Sequence, residues 1–138
     1  MKKRKNGFTL VELLVVIMII ALLASMVGPT IFGKLEGAQR ETTKAQLSNI
    51  STALDSFRLD FGRYPTTDEG LAILSVRHST LKKWNGPYLA KKLKNDPWDT
   101  PYVYKVPGKD GYAYELMSYA ADGKVGGKDK NSDISVWE

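Results

Sequence analysis

The chain has 138 residues, 43% of them apolar and a quarter charged, a balance that suits one folded domain and not a disordered chain. The formal net charge is +5, but Lys2, Lys3, Arg4 and Lys5 put four positives in the first five residues, and the remainder carries 16 basic against 15 acidic residues. That distribution argues against a nucleic-acid binder, whose folded part carries the basic face. With no cysteine, disulfides, thiolate catalysis and cysteine-based zinc sites are excluded, so a small exported domain needs another staple, such as a bound metal or assembly with its own copies.

Residues 8–27 form a 20-residue apolar run in which Glu12 is the only charge. At about 1.5 Å per residue the run spans about the 30 Å of a bilayer's apolar core. The basic cluster before it predicts a cytoplasmic N-terminus and an external C-terminal domain. A cleaved signal peptide, with the run discarded near Ala24, and a plain single-pass anchor are the simpler readings. Glu12 fits neither. A carboxylate in an apolar membrane helix costs about 2.5–3.5 kcal/mol, and no Lys or Arg between Lys5 and Lys34 offers it a partner.

Helical patterning continues beyond the apolar run. Leu47, Ile50, Leu54, Phe57 and Phe61 lie on one helical face. Glu36 and Arg40 are spaced for an i,i+4 pair, and Asp55 and Arg58 for an i,i+3 pair. The predicted helix runs from about Thr9 to about Arg63, where Tyr64-Pro65 disfavours continuation. Its first half is apolar all round and its second half amphipathic. Gly28-Pro29 between them predicts a kink or local melting.

Turn-rich sequence follows, at Tyr64-Pro65, Asn85-Gly86-Pro87, Asp96-Pro97 and Thr100-Pro101. A short helix is expected over residues 67–75, with Thr67 as its N-cap. Residues 102–106 and 112–118, rich in Tyr and Val, read as strands joined by a hairpin-like connection at 107–111. Trp84, Trp98, Trp137 and the seven tyrosines suit core and loop packing, with an aromatic sugar platform as the other reading. The tail brings Asp122, Asp129 and Asp133 into a glycine-rich stretch. Such a stretch forms either a solvated Asp/Gly loop or a wrap for calcium, which takes six to eight oxygens. His78, the single histidine, sits among polar residues and is expected on the surface. No spacing suggests a catalytic constellation or a phosphate loop, so no enzyme activity is expected.

Two sets of motifs carry a resemblance. Lys5-Asn-Gly-Phe-Thr-Leu-Val-Glu-Leu-Leu14 resembles the processing site of type IV pilins and pseudopilins. The resemblance implies cleavage after Gly7 by a prepilin peptidase, N-methylation of Phe8, and a role for Glu12 in neutralising the N-terminal amine of a neighbouring subunit. Arg63-Tyr-Pro-Thr-Thr-Asp-Glu-Gly-Leu71, Trp84-Asn-Gly-Pro-Tyr-Leu89, Asp96-Pro-Trp-Asp-Thr-Pro-Tyr102, Ala121-Asp-Gly-Lys-Val-Gly-Gly127 and Asp133-Ile-Ser-Val-Trp137 are similar, in order, to segments of the major pseudopilins of type II secretion systems. The cysteine-free C-terminal region separates the chain from type IV major pilins, which usually close it with a disulfide.

The resemblance implies an α+β, type IV pilin-like fold: a long N-terminal helix, half membrane-spanning and half amphipathic, packed on a small antiparallel sheet with a calcium-type C-terminal loop. Residues 1–7 would be the leader, 8–30 the transmembrane and filament-core helix, and 31–138 the periplasmic domain. The implied calcium ligands are Asp122 and Asp133, with Asp129 or Ser132 adding another and Tyr119 and Ser135 contributing carbonyls. Lys124, Lys128 and Lys130 depart from an electrostatically favourable site. The implied function is the major structural subunit of the pseudopilus. Its implied partners are other copies of itself, the prepilin peptidase, minor pseudopilins and an inner-membrane assembly platform. The chain would first be anchored in the bacterial inner membrane and then polymerise in the periplasm. A surface-fibre or competence pilin, a monomeric membrane-anchored binding module and an exported enzyme are the alternatives.

Overall fold

The computed structural model describes Lys3 and residues 5–138, and Lys2 and Arg4 of the basic leader lie outside the described residues. Two compact units divide the chain, one through Gly37 and one from Ala38 to Glu138.

Helix α1 runs from Leu10 to Phe61, 52 residues without a break. Of the two outcomes expected at Gly28-Pro29, local melting does not occur: Pro29 lies inside the continuous helix. A proline removes the hydrogen bond its own nitrogen would donate and crowds the preceding turn, yet residues on both sides remain helical. The end comes slightly before the expected Arg63. Gly62 adopts φ +70°, and its N–H donates to the Arg58 carbonyl at 2.7 Å. This left-handed glycine stop is the usual terminator of a helix, and it precedes the Tyr64-Pro65 block.

Within the second unit, the helical face predicted from spacing is the core. Leu47, Ile50, Leu54 and Phe57 are at most 1% exposed. Thr43 extends the same stripe by one turn, its hydroxyl donating to the Gln39 carbonyl at 2.8 Å. Phe61, half-buried, stacks on Phe57 with ring centroids 4.3 Å apart. Each fully buried aliphatic or aromatic side chain contributes about 1.5–3 kcal/mol.

Opposite this stripe lies a three-stranded antiparallel sheet, ordered β1 (Val103–Lys105), β2 (Glu115–Ser118) and β3 (Ile134–Ser135). Tyr104 pairs with Leu116, and Ser118 with Ile134. Leu116 and Ile134, both fully buried, join the helix stripe in one core. The strands are shorter than the aromatic runs suggested, because residues 107–114 close the hairpin. There Gly108 N–H donates to the Tyr112 carbonyl at 3.1 Å and Tyr112 N–H to the Lys109 carbonyl at 3.0 Å. A Cβ on Gly108 would stand 2.5 Å from the Tyr114 carbonyl oxygen, so only glycine fits.

The short helix expected at 67–75 is instead a turn followed by a 3-10 segment, Leu71–Leu74. Thr66, not Thr67, makes the reciprocal cap: its hydroxyl accepts from Glu69 N–H at 3.2 Å, while Glu69 Oε2 accepts from Thr66 N–H at 2.7 Å. Thr67 turns away and exchanges hydrogen bonds with the Val106 backbone. Glu69 also receives both guanidinium nitrogens of Arg63, at 2.8 and 2.9 Å. The Arg63 hydrogen bonds and the Thr66 contacts, opposed by partial burial, hold the Glu69 carboxyl at about 2, against an ordinary 4.5.

A depressed carboxyl stabilises the fold above its unfolded value, near pH 4.5, and loses that contribution as pH falls toward 2. Arg63 is 43% exposed, so screening limits the contribution to about 1 kcal/mol. Melting of the full chain in detergent is therefore expected to decline more steeply between pH 4.5 and pH 2 than melting of Glu69→Gln. Parallel profiles would rule out this role for the pair.

Candidate functional site

Among the described residues, no enclosed catalytic centre is assembled. His78 is exposed, with Nδ1 2.7 Å from the Thr80 hydroxyl. An open cleft of about 480 Å³ between Thr42, Gln46 and Asn49 of α1 and Lys91, Lys92 and Lys94 has no histidine or carboxylate on its wall. The tryptophans pack rather than form a cavity lining. Trp84 Nε1 donates to the Ile73 carbonyl at 2.8 Å, and Trp137 Nε1 to the Tyr114 carbonyl at 2.9 Å. Tyr64 replaces the direct Asp55–Arg58 pair: its hydroxyl accepts from Arg58 at 3.2 Å and donates to Asp55 at 2.9 Å.

Exposed apolar surface is concentrated instead on the N-terminal part of α1. Leu10 is 75% exposed, Ile17 61% and Leu22 64%. A helix of this length and apolarity is long enough to cross a membrane, and its apolar window has no buried residue in the single chain. At its start, Thr9 and Glu12 form a reciprocal cap. Thr9 N–H donates to Glu12 Oε2 at 3.0 Å, and Glu12 N–H donates to the Thr9 hydroxyl at 3.2 Å. The sequence thus holds a Thr-x-x-Glu capping box. Glu12 does have a partner within its own helix, contrary to the expectation from missing lysines and arginines. The cap satisfies two backbone donors but does not neutralise the carboxylate. Gly7 and Phe8 precede it, both exposed.

The second candidate region is the C-terminal loop between β2 and β3. Two 3-10 turns, Ala120–Asp122 and Asp129–Asn131, pack against each other. The loop is shaped by left-handed residues, including Ala120 at φ +55° and Asp129 at φ +51°. Non-glycine residues occupy that region at a cost of about 1–3 kcal/mol, so the surroundings must hold them there. Asp96, 4% exposed, does part of this: Oδ2 accepts from the Ser118 hydroxyl at 2.6 Å, and that hydroxyl accepts from Ala120 N–H at 3.1 Å. Gly127 is obligatory, since it adopts φ +95° and a Cβ there would collide with the Asn131 carbonyl oxygen.

The expected ligands are placed as follows. Asp133 Oδ2 accepts from Gly126 N–H at 2.8 Å, whereas Oδ1 is buried with no hydrogen-bond partner. Asp122 is exposed and accepts from Lys124 N–H at 3.1 Å. The Asp129 carbonyl accepts from the Ser132 hydroxyl at 2.8 Å. Tyr119 follows β2 and leads into the first turn, and Ser135 lies in β3 opposite Met117. Ser132 is engaged by the helix: its carbonyl and hydroxyl oxygens both accept from Arg40. Among the described residues, no three carboxylate or imidazole side chains converge on one point. The orphaned Asp133 Oδ1 is the one feature that asks for a cation, and most remaining oxygens would have to come from the backbone.

Arg40 was legible only as a partner for Glu36. Its true acceptor lies 92 residues away, a relation that helical spacing does not reveal.

Comparison with known proteins covers both regions. The family described as type II secretion system protein G matches residues 30–137, and the prokaryotic N-terminal methylation motif matches residues 2–28. The type II secretion system core protein G of Pseudomonas aeruginosa is 38% identical over 140 residues, covering 99% of this chain and 98% of that protein. The corresponding protein of Escherichia coli K12 is 40% identical over 138 residues, covering 97% and 92%. The crystal structure of the major pseudopilin from the type 2 secretion system of enterohaemorrhagic E. coli aligns with a TM-score of 0.60 and 28% identity, over 79% of this chain and 95% of that one. A long helix on a three-stranded antiparallel sheet, preceded by a methylation motif and matched along nearly its whole length, makes this chain a member of the type II secretion system protein G family, the major pseudopilins.

Proposed function

We propose that this major pseudopilin builds its filament by packing the apolar halves of α1 from successive copies, with Glu12 of one copy neutralising the Phe8 amine of the next. The observation that carries this reading is the uncovered apolar surface of residues 10–27, whose one carboxylate sits four residues after the expected cleavage point. In the bilayer, lipid covers that surface; in the filament, neighbouring copies replace the lipid. Cleavage after Gly7 by a prepilin peptidase would create the positive amine that a buried carboxylate requires. The chain would start in the inner membrane with its C-terminal domain in the periplasm, and would be drawn into the filament by an inner-membrane platform with minor pseudopilins at the tip. Its contribution is shape and reversible packing, without catalysis.

Within this reading, Asp133 and Asp122, with carbonyls such as those of Tyr119 and Ser135, would hold a calcium ion. The ion would supply the missing positive charge beside Asp133 Oδ1 and brace a loop that has few apolar contacts. Intact-mass and N-terminal analysis of the protein recovered from membranes tests the processing step. The expected mature chain begins at a methylated Phe8, and Gly7→Ala leaves the leader attached. A mature chain beginning near Ala24 would mean that the apolar run is discarded, and would overturn the proposal.

A further inference from the structure

Arg40 lies on α1 within the C-terminal unit, half-buried, and sends both branches of its guanidinium to one residue. Nη1 donates to the Ser132 carbonyl oxygen at 3.0 Å and Nη2 to the Ser132 hydroxyl oxygen at 3.1 Å. The Ser132 hydroxyl passes the constraint on, donating to the Asp129 carbonyl at 2.8 Å. The next residue, Asp133, ties the opposite limb of the loop through Gly126 N–H at 2.8 Å. Ile134, fully buried, then anchors the chain in the sheet. Helix, turn, carboxylate and opposite limb therefore form one connected path. No carboxylate competes for Arg40: the ion pairs among the described residues are Lys44–Glu41, Arg63–Glu69 and Lys109–Glu115.

We propose that Arg40 is a positioning residue, a cation built into the chain that clasps the C-terminal loop to α1. The clasp closes the loop whether or not a metal is bound. Resting on the calcium reading above, a divalent ion then reinforces a loop already closed rather than creating it. The planar fork suits this work, since it meets two oxygens of one residue at once, and its charge is permanent. A fixed positive charge on Ser132 also disfavours that residue as a metal ligand, leaving Asp133 Oδ1 as the oxygen still to be satisfied.

The loop carries its own reporters. Lys124, Lys128 and Lys130 are exposed trypsin sites on the clasped segment. The test is limited trypsin digestion of the full chain in detergent, with chelator or with excess calcium, cleavage being mapped by mass. In chelator, Arg40→Ala is expected to be cut at these three lysines about tenfold faster than the parent, the effect of losing hydrogen bonds from a charged donor. Cleavage after Lys91 and Lys92, outside the loop, should stay unchanged. Arg40→Lys should restore only part of the protection, and Ser132→Ala, which keeps the carbonyl acceptor, should fall between the parent and Arg40→Ala. Calcium should slow cleavage of Arg40→Ala more than that of the parent.

Equal loop cleavage in Arg40→Ala and the parent in chelator would overturn the clasp. So would acceleration that is uniform across the chain, which marks a general loss of stability. If calcium protects neither protein while the chelator result holds, the clasp stands and the calcium reading fails.

Discussion

Replacing Glu12 by alanine is expected to abolish filament formation while leaving the chain in the membrane. In the single chain Glu12 is exposed and caps its own helix through Thr9, so its loss there costs about 1 kcal/mol. In the filament the cost is larger. Removing one partner of a buried ion pair leaves the other uncompensated, at about 3–5 kcal/mol. That corresponds to about a hundredfold or greater loss of assembled material. Glu12→Gln separates the two roles, because glutamine retains the capping hydrogen bond but not the charge. It is expected to fail nearly as completely as alanine, measured as filament recovered from sheared cells against total processed subunit. A glutamine variant that assembles normally would show that capping, not charge, is what the filament needs.

Phe57→Ala is expected to bring the largest loss of stability in the soluble unit. Phe57 is 0% exposed, stacks on Phe61 at 4.3 Å and meets the Tyr88 ring edge-on at 5.6 Å. Truncation of such a residue costs about 3–5 kcal/mol, out of a total that is about 5–15 kcal/mol for a domain. The melting temperature should therefore fall by about 15 °C or more. Leu59, two residues along the same helix, is 87% exposed, and Leu59→Ala should change stability by less than about 0.5 kcal/mol. Thermal melts of the pair give the comparison, and equal shifts would contradict the core assigned to α1.

The contrast between Phe57 and Leu59 also shows what the sequence could reveal. Periodicity marks a buried helical face because burial repeats with the helix, so Leu47, Ile50, Leu54 and Phe57 were readable without coordinates. The apolar run and its flanking charges were readable for the same reason: a bilayer imposes length and polarity on contiguous residues. Strand β3 was not, since Ile134–Ser135 is two residues long and no alternation can register in it. Proline at position 29 does not melt the helix, because one missing hydrogen bond does not break a helix that continues on both sides.

At the candidate sites the division is similar. Thr9-x-x-Glu12 is a local signal carried by backbone hydrogen bonds rather than by an opposite charge. Arg40 and Ser132 are far apart in sequence, and only the packing of the C-terminal loop against α1 brings them together. Asp122, Asp129 and Asp133 were visible as a cluster of acids, yet the three do not converge on one point, and one oxygen, Asp133 Oδ1, is buried without a partner.

Because the chain has no cysteine, a single introduced thiol reports on one position alone. Val16→Cys, treated with a short thiol crosslinker in cells that express the secretion system, tests most directly whether the apolar halves of α1 pack against each other. The account predicts a ladder of dimers, trimers and longer products that disappears when Glu12→Ala is added. Monomer alone in the Val16→Cys chain, or a ladder indifferent to Glu12, would contradict it.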